Sequence, residues 1–521
     1  MPVSGELLGA GLAHHRAGRL AEAEAAYRQV LVNDPRSPEA TKMLGVLMYQ
    51  SGRVPEALEL LERATVLAPA DADAQYNFGN ALKAQGKMEQ AIFCYRRATE
   101  LNPKLAAAHY NLANALKGAG SLDQAIDAYQ QALAVQPDHY KAVNNLGTAL
   151  LQAGRIDEAI AMYQRAAALQ PRVPDAFKNL GHAYRSAHQW KAATAAFREA
   201  LARDPRSAEI MSSLSMMLLL QGELTQGFAA HEARLALPQY AILPELAHRL
   251  WDGSELNGRR ILLHSEQGFG DTIQFIRYVP MVKAKQGYCI VVCQPVLRDL
   301  FRSMQGIDEL NELGQVLPAF DVYCPLMSLP HRLHTTLETI PAAAPYLFAD
   351  RQRSARWKET VEAQARGRMK IGLVWGATAG RGFYDSRSIP LELLEPLAQF
   401  QDSIAWFSVQ KGPAAAQLDH TPPGLFIQDC GKDLRDFADT AALLDNLDLL
   451  ISVDTSVAHL GGAMGRAVWL LLQYASDWRW MLDRSDSPWY PTMRIFRQQR
   501  AGDWTKPLKQ VVGALRERTT A

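Results

Sequence analysis

A chain of 521 residues has room for about three domains, and its 55 Lys and Arg against 54 Asp and Glu leave a net charge of +1, without the positive excess that a phosphate backbone demands, so nucleic acid is not expected as a main partner. At 48% apolar and 21% charged the composition is that of ordinary globular protein, and no apolar stretch approaches the roughly 20 residues of a membrane span. Cys94, Cys289, Cys293, Cys324 and Cys430 form no Cys-x-x-Cys pair and are odd in number, which suits free thiols in a reducing compartment. The first residues lack a basic segment followed by an apolar one, so no secretory signal is visible and a cytoplasmic location is expected.

Residues 1–236 repeat with a period of 34. Pro35, Pro69, Pro103, Pro137, Pro171 and Pro205 keep that spacing, as do Gly18, Gly52, Gly86, Gly120 and Gly154, with His188 replacing one glycine before Gly222 resumes. Ala57, Ala91, Ala125, Ala159 and Ala193 run in step, and so do Tyr27, Tyr95, Tyr129, Tyr163 and Phe197, with Leu61 in the second repeat. Each unit reads as two helices: glycine turns the chain after the first, alanine lets the second approach closely, and proline ends the unit. Six units in phase resemble the tetratricopeptide repeat (TPR), which implies an α solenoid, and residues 207–235 read as a degenerate seventh unit closing its end.

Asn77, Asn111, Asn145 and Asn179 also lie 34 apart. Equivalent positions in stacked repeats form a row, and each amide can both donate to and accept from a peptide backbone, so the row could hold an extended chain without reading its sequence. The alternative is that each Asn bonds within its own repeat. The row resembles the asparagine ladder on the concave face of the TPR superhelix in O-GlcNAc transferases, which implies a protein or peptide partner; Met43 and Ser213 break it at either end.

Beyond a connector over residues 237–258, strands alternate with helices, which predicts parallel sheets. Strands are expected over 260–264, 288–294 and 321–326, with helices over 272–285, despite Pro280, and 296–304. The loop after the first strand has Gly268 and Gly270 but Ile273 where a third glycine would complete a dinucleotide fingerprint, and no G-x-x-x-x-G-K-[ST] occurs, so NAD, FAD and P-loop chemistry are excluded. The glycines permit a ligand to approach the backbone. Asp271, at the carboxyl end of the first strand, could take a proton from an acceptor hydroxyl or could simply cap the following helix. Residues 337–369 read as the joint to a second α/β unit.

In that second unit strands are expected over 370–375, 404–409, 425–429, 447–453 and 467–472, a loop over 376–388, and helices from Pro390 and over 436–444 and 457–464. Arg381, Arg387 and Lys411 follow strands and would suit a diphosphate clamp. After the strand ending at Val453 come Asp454, Thr455 and Ser456, then a helix whose unpaired N–H groups and positive dipole end make an anion site fit for a diphosphate. His459, one turn into that helix, could add a donor. Equally, the helix could be capped and His459 merely packed.

The segments Glu266–Thr272, Arg387-Ser388-Ile389-Pro390, Gln410-Lys411-Gly412 and Asp454-Thr455-Ser456-x-x-His459, in that order, resemble the ADP-heptose transferase family of GT-B glycosyltransferases, in the branch fused behind TPR repeats. The resemblance implies an α solenoid over residues 1–236 followed by an α/β GT-B fold, with an acceptor-side Rossmann-like half over 237–352 and a sugar-nucleotide half over 353–521. It implies Asp271 as catalytic base, Arg387 where relatives often carry Lys near the donor phosphates, and Asp454, Thr455, Ser456 and His459 against the donor diphosphate and sugar. Asp439 lies near a family acidic position that contacts donor. Loop residues 376–385 depart from the Gly-Asn-Pro type of relatives, which leaves the donor open. No Asp-x-Asp stands at a strand end, in keeping with metal-independent transfer and no cofactor beyond the nucleotide-diphosphate sugar used as substrate.

Three functions follow from these readings. The first is a glycosyltransferase acting on a protein or peptide that the repeat array tethers at about millimolar effective concentration. The second transfers to a glycan or lipid-linked acceptor and uses the array for partner docking. The third is a scaffold whose GT-B half has lost activity.

Overall fold

The computed structural model describes residues 2–238, 248–377 and 387–520. It divides into two compact units, Met1–Pro205 and Arg206–Ala521.

The first unit is a helical solenoid. Among the described residues it holds twelve helices, from Pro2–Arg16 to Trp190–Arg203, in six pairs that pack within and between neighbours. Gly18, Gly52, Gly86, Gly120 and Gly154 turn the chain inside each pair with φ between +72° and +79°, the left-handed region that a Cβ disfavours. His188 takes the same turn at φ +57°. The phased alanines Ala57, Ala91, Ala125, Ala159 and Ala193 are fully buried. The aromatic phase finds its partner in a further glycine on the first helix of several pairs: a Cβ on Gly79, Gly147 or Gly181 would stand 2.7–2.8 Å from the ring of Tyr95, Tyr163 or Phe197.

Residues 207–235 hold a further helix pair. Its helices Ala208–Leu220 and Leu224–His231 cluster by contact with the second unit, whereas the repeat spacing places them with the array. The reason is apolar surface. Leu214, Met217, Leu218, Leu219 and Leu220 are all buried, whereas a solenoid cap needs a polar outer face. Phe228 lies edge-on to Trp478 and Trp489, and the buried Arg234 guanidinium pairs with Glu266 at 2.8 Å and donates to Ser328 at 2.9 Å.

The rest of the second unit is built on two parallel sheets. β1 (Arg260–His264), β2 (Tyr288–Cys293), β3 (Glu309–Glu312) and β4 (Val322–Pro325) lie in the order β3-β2-β1-β4. β5 (Met369–Val374), β6 (Ile404–Ser408), β7 (Ile427–Asp429), β8 (Leu449–Val453), β9 (Val468–Leu472) and β10 (Met493–Arg497) lie in the order β10-β9-β8-β5-β6-β7. The boundary expected at 352 falls inside the helix Arg351–Ala365, which precedes β5. Cys289 and Cys293 share β2 and are fully buried, and all five thiols are free.

Three elements escape the sequence pattern: β3, a polar edge strand; β10; and the helix Thr505–Thr520, whose Leu508, Val511, Val512 and Leu515 join the core of the second sheet beside Trp375 and Trp406. The helix expected over 272–285 is broken. Phe269–Phe275 gives way to a 3-10 turn and then to Val279–Ala284, because Pro280 has no N–H to donate and is accommodated only in the first turn of a new helix. The segment Leu391–Phe400, with Pro396 inside it, is a 3-10 helix.

Candidate functional site

One cavity of about 600 Å³ lies between the two sheets of the second unit, a volume fit for a ligand of nucleotide size. Its walls are the segments that follow β1, β2, β5, β6, β7, β8 and β9, all at the carboxyl ends of parallel strands. That edge is where open α/β sheets place ligands.

The helix Ser456–Ala463 opens into this cavity. β8 is buried throughout, so the chain leaves it at Asp454 and must turn. Thr455 is the N-cap residue, with φ −140°, and its carbonyl accepts from Ala458 N at 3.1 Å and His459 N at 3.3 Å. No side chain closes the helix mouth, because the Thr455 hydroxyl pairs with Ser452 Oγ at 3.1 Å instead. The N–H groups of Ser456 and Val457 therefore have no acceptor among the described residues, and both residues line the cavity. The expected capping by Asp454, Thr455 or Ser456 side chains is absent, and its absence is what leaves an anion site.

Asp271 faces the same cavity from the first sheet. One carboxylate oxygen accepts from Gly268 N at 2.9 Å, closing the first turn of Phe269–Phe275; the other is paired with Arg479. Burial pushes its carboxyl above the usual range; Arg479 opposes that push and Asp477 adds to it. Asp271 is thus a helix cap and a cavity group at once. Gly268 and Gly270 line the cavity too, but the close approach that Gly270 permits is to protein. A Cβ there would stand 2.9 Å from His459 Cδ2, so this glycine lets Phe269–Phe275 pack on Ser456–Ala463.

On the second sheet's side, His459 is buried, and its Nδ1 lies 2.8 Å from the Tyr490 hydroxyl. Burial holds its pKa well below the ordinary value, reinforced by Arg479, Arg277 and Arg387, so it offers hydrogen bonding and no charge. Asp454 lines the cavity almost fully buried, and its carboxyl is pushed up to about 6 by burial and by Asp477, with Arg387 opposing. Arg387 lines the cavity and reaches the Asp454 carbonyl at 3.4 Å. Lys411 lines it as well, its ammonium bonded to the Leu434 carbonyl.

Asp439 is a correction. It is not among the cavity-lining residues: one oxygen accepts from Arg353 at 3.0 Å and the other from Arg435 N at 3.1 Å. Asp436, which caps the helix Phe437–Leu444 through a 2.8 Å bond from Asp439 N, lines the cavity in its stead. Asp439 is held away from the cavity by its bonds to Arg353 and Arg435 N. Arg381 and most of loop 376–385 lie outside the described residues.

Several cavity residues carry no signal in the motifs. Arg479 and Asp477 follow β9, and the rule that singled out Lys411, a charged side chain past the end of a strand, would have found them. Gln410 was hidden in Gln410-Lys411-Gly412. Its Oε1 accepts from Trp375 N at 3.1 Å and Gly376 N at 2.7 Å, and its Nε2 donates to the carbonyls of Gly376 and Lys411 at 3.0 and 2.7 Å, tying the loops after β5 and β6 together. Among the described residues no three His, Cys, Asp or Glu side chains converge as a metal would require.

In the first unit the asparagine row bonds across repeats. Asn111 Nδ2 donates to Tyr76 Oη at 3.2 Å and Asn80 Oδ1 at 2.9 Å; Asn145 repeats this with Tyr110 and Asn114 at 3.2 and 3.0 Å; Asn179 donates to Asn144 at 3.0 Å. Asn77 instead bonds the Asp73 carbonyl of its own helix at 2.8 Å. Three of the four amide nitrogens thus donate to the preceding repeat, which neither sequence alternative foresaw; Asn111 and Asn145 spend both N–H groups there, so their carbonyl oxygens are what they offer a ligand.

Comparison with known proteins identifies the repeats. Residues 8–72, 110–174 and 178–241 match the tetratricopeptide repeat family and residues 79–120 a TPR repeat family, so tetratricopeptide repeats occupy the first part of the chain, the helix pair after Pro205 included. The chain is similar to Protein FlbA of Caulobacter vibrioides, 27% identical over 325 residues, which cover 58% of this chain and 54% of that protein, so the match spans about half the length of that relative. Similar solved structures include MamA, at 30% identity over 31% of this chain and 94% of that one with a TM-score of 0.30. They also include YrrB, described as a TPR protein with an unusual peptide-binding site, at 19% identity over 36% and 97% with a TM-score of 0.34. Among the described residues no helix is long and apolar enough to cross a membrane.

Proposed function

We propose that residues 206–521 are a glycosyltransferase of the GT-B type, moving a sugar from a nucleotide-diphosphate sugar to a hydroxyl of a protein or peptide that the tetratricopeptide array tethers. One observation carries this reading: the uncapped mouth of Ser456–Ala463 and the carboxylate of Asp271 line the same cavity between two parallel sheets, with Arg387 and Lys411 beside them. The leaving diphosphate sits against the amides of Ser456 and Val457 and against these cations, which stabilise its developing charge without a metal. Asp271 takes the proton of the acceptor hydroxyl, whose oxygen attacks the anomeric carbon, and the carbon–oxygen bond to the diphosphate breaks with its electron pair going to the diphosphate. Neutral His459 supplies a hydrogen bond near the sugar.

Calorimetric titration of the full chain with ADP, GDP and UDP tests the donor site, with at least one expected to bind. If none binds to the folded chain, the second unit is a scaffold. For the chemistry, Asp271→Asn is expected to abolish transfer while leaving nucleotide affinity within a few-fold, as removal of a base without loss of donor contacts requires. Transfer that survives this substitution reduces Asp271 to a helix cap.

A further inference from the structure

Asp271 and Arg479 come from opposite sides of the cavity: Asp271 from the helix after β1, Arg479 from the segment after β9. The Arg479 guanidinium is held on three sides. It donates to Asp271 Oδ1, to Gln274 Oε1 on the same helix, and to Asp477 Oδ1 at 2.9 Å, while its carbon lies 4.4 Å over the Trp478 ring. Only 7% of its side chain is exposed. A planar fork locked in this way fixes both the place and the direction of the carboxylate it meets.

Resting on the glycosyl-transfer reading, we propose that Arg479 is the positioning residue of the reaction: its guanidinium, reaching across the cavity, holds the Asp271 carboxylate charged and aimed, so that the base is assembled only when the two sheets are together. The physical need is plain. Asp271 is desolvated beside two further carboxylates, Asp477 from the segment after β9 and Glu266 from the loop after β1, and a carboxyl so placed keeps its proton unless a cation compensates. Across Gly270, the neutral His459 ring offers no such charge. Glu266 is itself paired with Arg234, which leaves Arg479 as the cation bonded directly to Asp271. Gln274, bonded to the Nε of Arg479, fixes the guanidinium against the same helix that carries the base.

The test uses the full chain as wild type, Arg479→Gln, Arg479→Lys, Asp271→Asn and the double variant that combines Arg479→Gln with Asp271→Asn. The first readout needs no activity. Asp271 has a raised pKa in the folded chain, so the folded state favours its protonated form, and stability drains away as pH rises from 3.8 through the folded pKa. Losing Arg479 widens that window. The drop in melting midpoint caused by Arg479→Gln is therefore expected to grow between pH 5 and 7.5 when Asp271 is present and to stay flat in the Asp271→Asn background. An equal drop in both backgrounds overturns the proposal.

The second readout is the pH profile of kcat/KM. Arg479→Gln is expected to move its acid limb up by about one pH unit or more, with Arg479→Lys close to wild type and nucleotide affinity within a few-fold. A loss of rate that is equal at every pH marks a merely structural arginine and overturns the role. Should the Gln variant not fold, Arg479→Met serves in its place, with a shift in the same direction expected and no shift overturning the role. If coupling is present but no nucleoside diphosphate binds, the glycosyl-transfer reading falls and the role with it, leaving a structural brace.

Discussion

Asp454 stands beside a helix mouth that favours anions, yet burial and a neighbouring carboxylate work against its charge. With 5% of its surface exposed and Asp477 nearby, its carboxyl is pushed up to about 6. The sign follows from linkage: a group whose pKa is raised by folding contributes stability that is whole below its unfolded value of 3.8 and is lost as the pH climbs through about 6. Asp454→Asn removes the titration. It is expected to raise the melting midpoint at pH 7.5 by a few degrees and to flatten its pH dependence between 4 and 7, as followed by scanning calorimetry. A midpoint at pH 7.5 that does not rise would mean that burial is not what sets this carboxyl. A stability gain on neutralising a cavity-lining residue is the usual signature of a functional site.

At the scale of elements, the repeat pairs show how position decides the worth of one methyl group. Gly147 and Gly118 are both helical, yet a Cβ on Gly147 would stand 2.8 Å from Tyr163 Cε1, whereas one on Gly118 meets nothing within 4 Å. Tyr163 cannot swing aside freely, since its hydroxyl donates to Thr148 at 3.1 Å. Gly118→Ala is expected to stabilise the array by about 0.5–1 kcal/mol through helix propensity alone. For Gly147→Ala, crowding of roughly 1–3 kcal/mol outweighs the same gain and leaves a net loss of about 1 kcal/mol. Urea unfolding of the two variants reads the difference, and equal effects would show that the Gly–Tyr contact is looser than described. The same logic sets the mouth of Ser456–Ala463: Thr455 turns its hydroxyl to Ser452, so an element that begins with three good capping residues is left open.

At the scale of the whole molecule, the proposed function assigns the array to holding a partner and the α/β unit to acting on it. Replacing Asn111, Asn145 and Asn179 together by Ala removes their cross-repeat bonds, each worth about 1 kcal/mol. The triple variant is expected to melt earlier in the array and to bind a peptide acceptor more weakly, while hydrolysis of the donor by the second unit stays as it was. Unchanged acceptor affinity at a temperature where the array is folded would confine the row to a structural spine.

Much of this was legible in the residues. The 34-residue period defines the solenoid because every repeat must meet its neighbours in the same way, so the constraint is local and recurs. Most strands of the parallel sheets were legible because strands buried on both faces read as apolar runs. β3 was not, since an edge strand with Glu309, Asn311 and Glu312 carries no such run. The helix pair 208–231 matches a repeat by spacing, and its apolar residues pack within the second unit.

The sequence by itself determined the repeat, the parallel strands and the candidate motifs after β1 and β8, all of which depend on residues close together in the chain. Only the tertiary structure decided that Asp439 turns to Arg353 while Asp436 faces the cavity, that the asparagine nitrogens are spent on the preceding repeat, and that Arg479 meets Asp271. Those pairings join residues up to 208 positions apart, and a charge finds its partner by distance in space, which chain spacing does not encode.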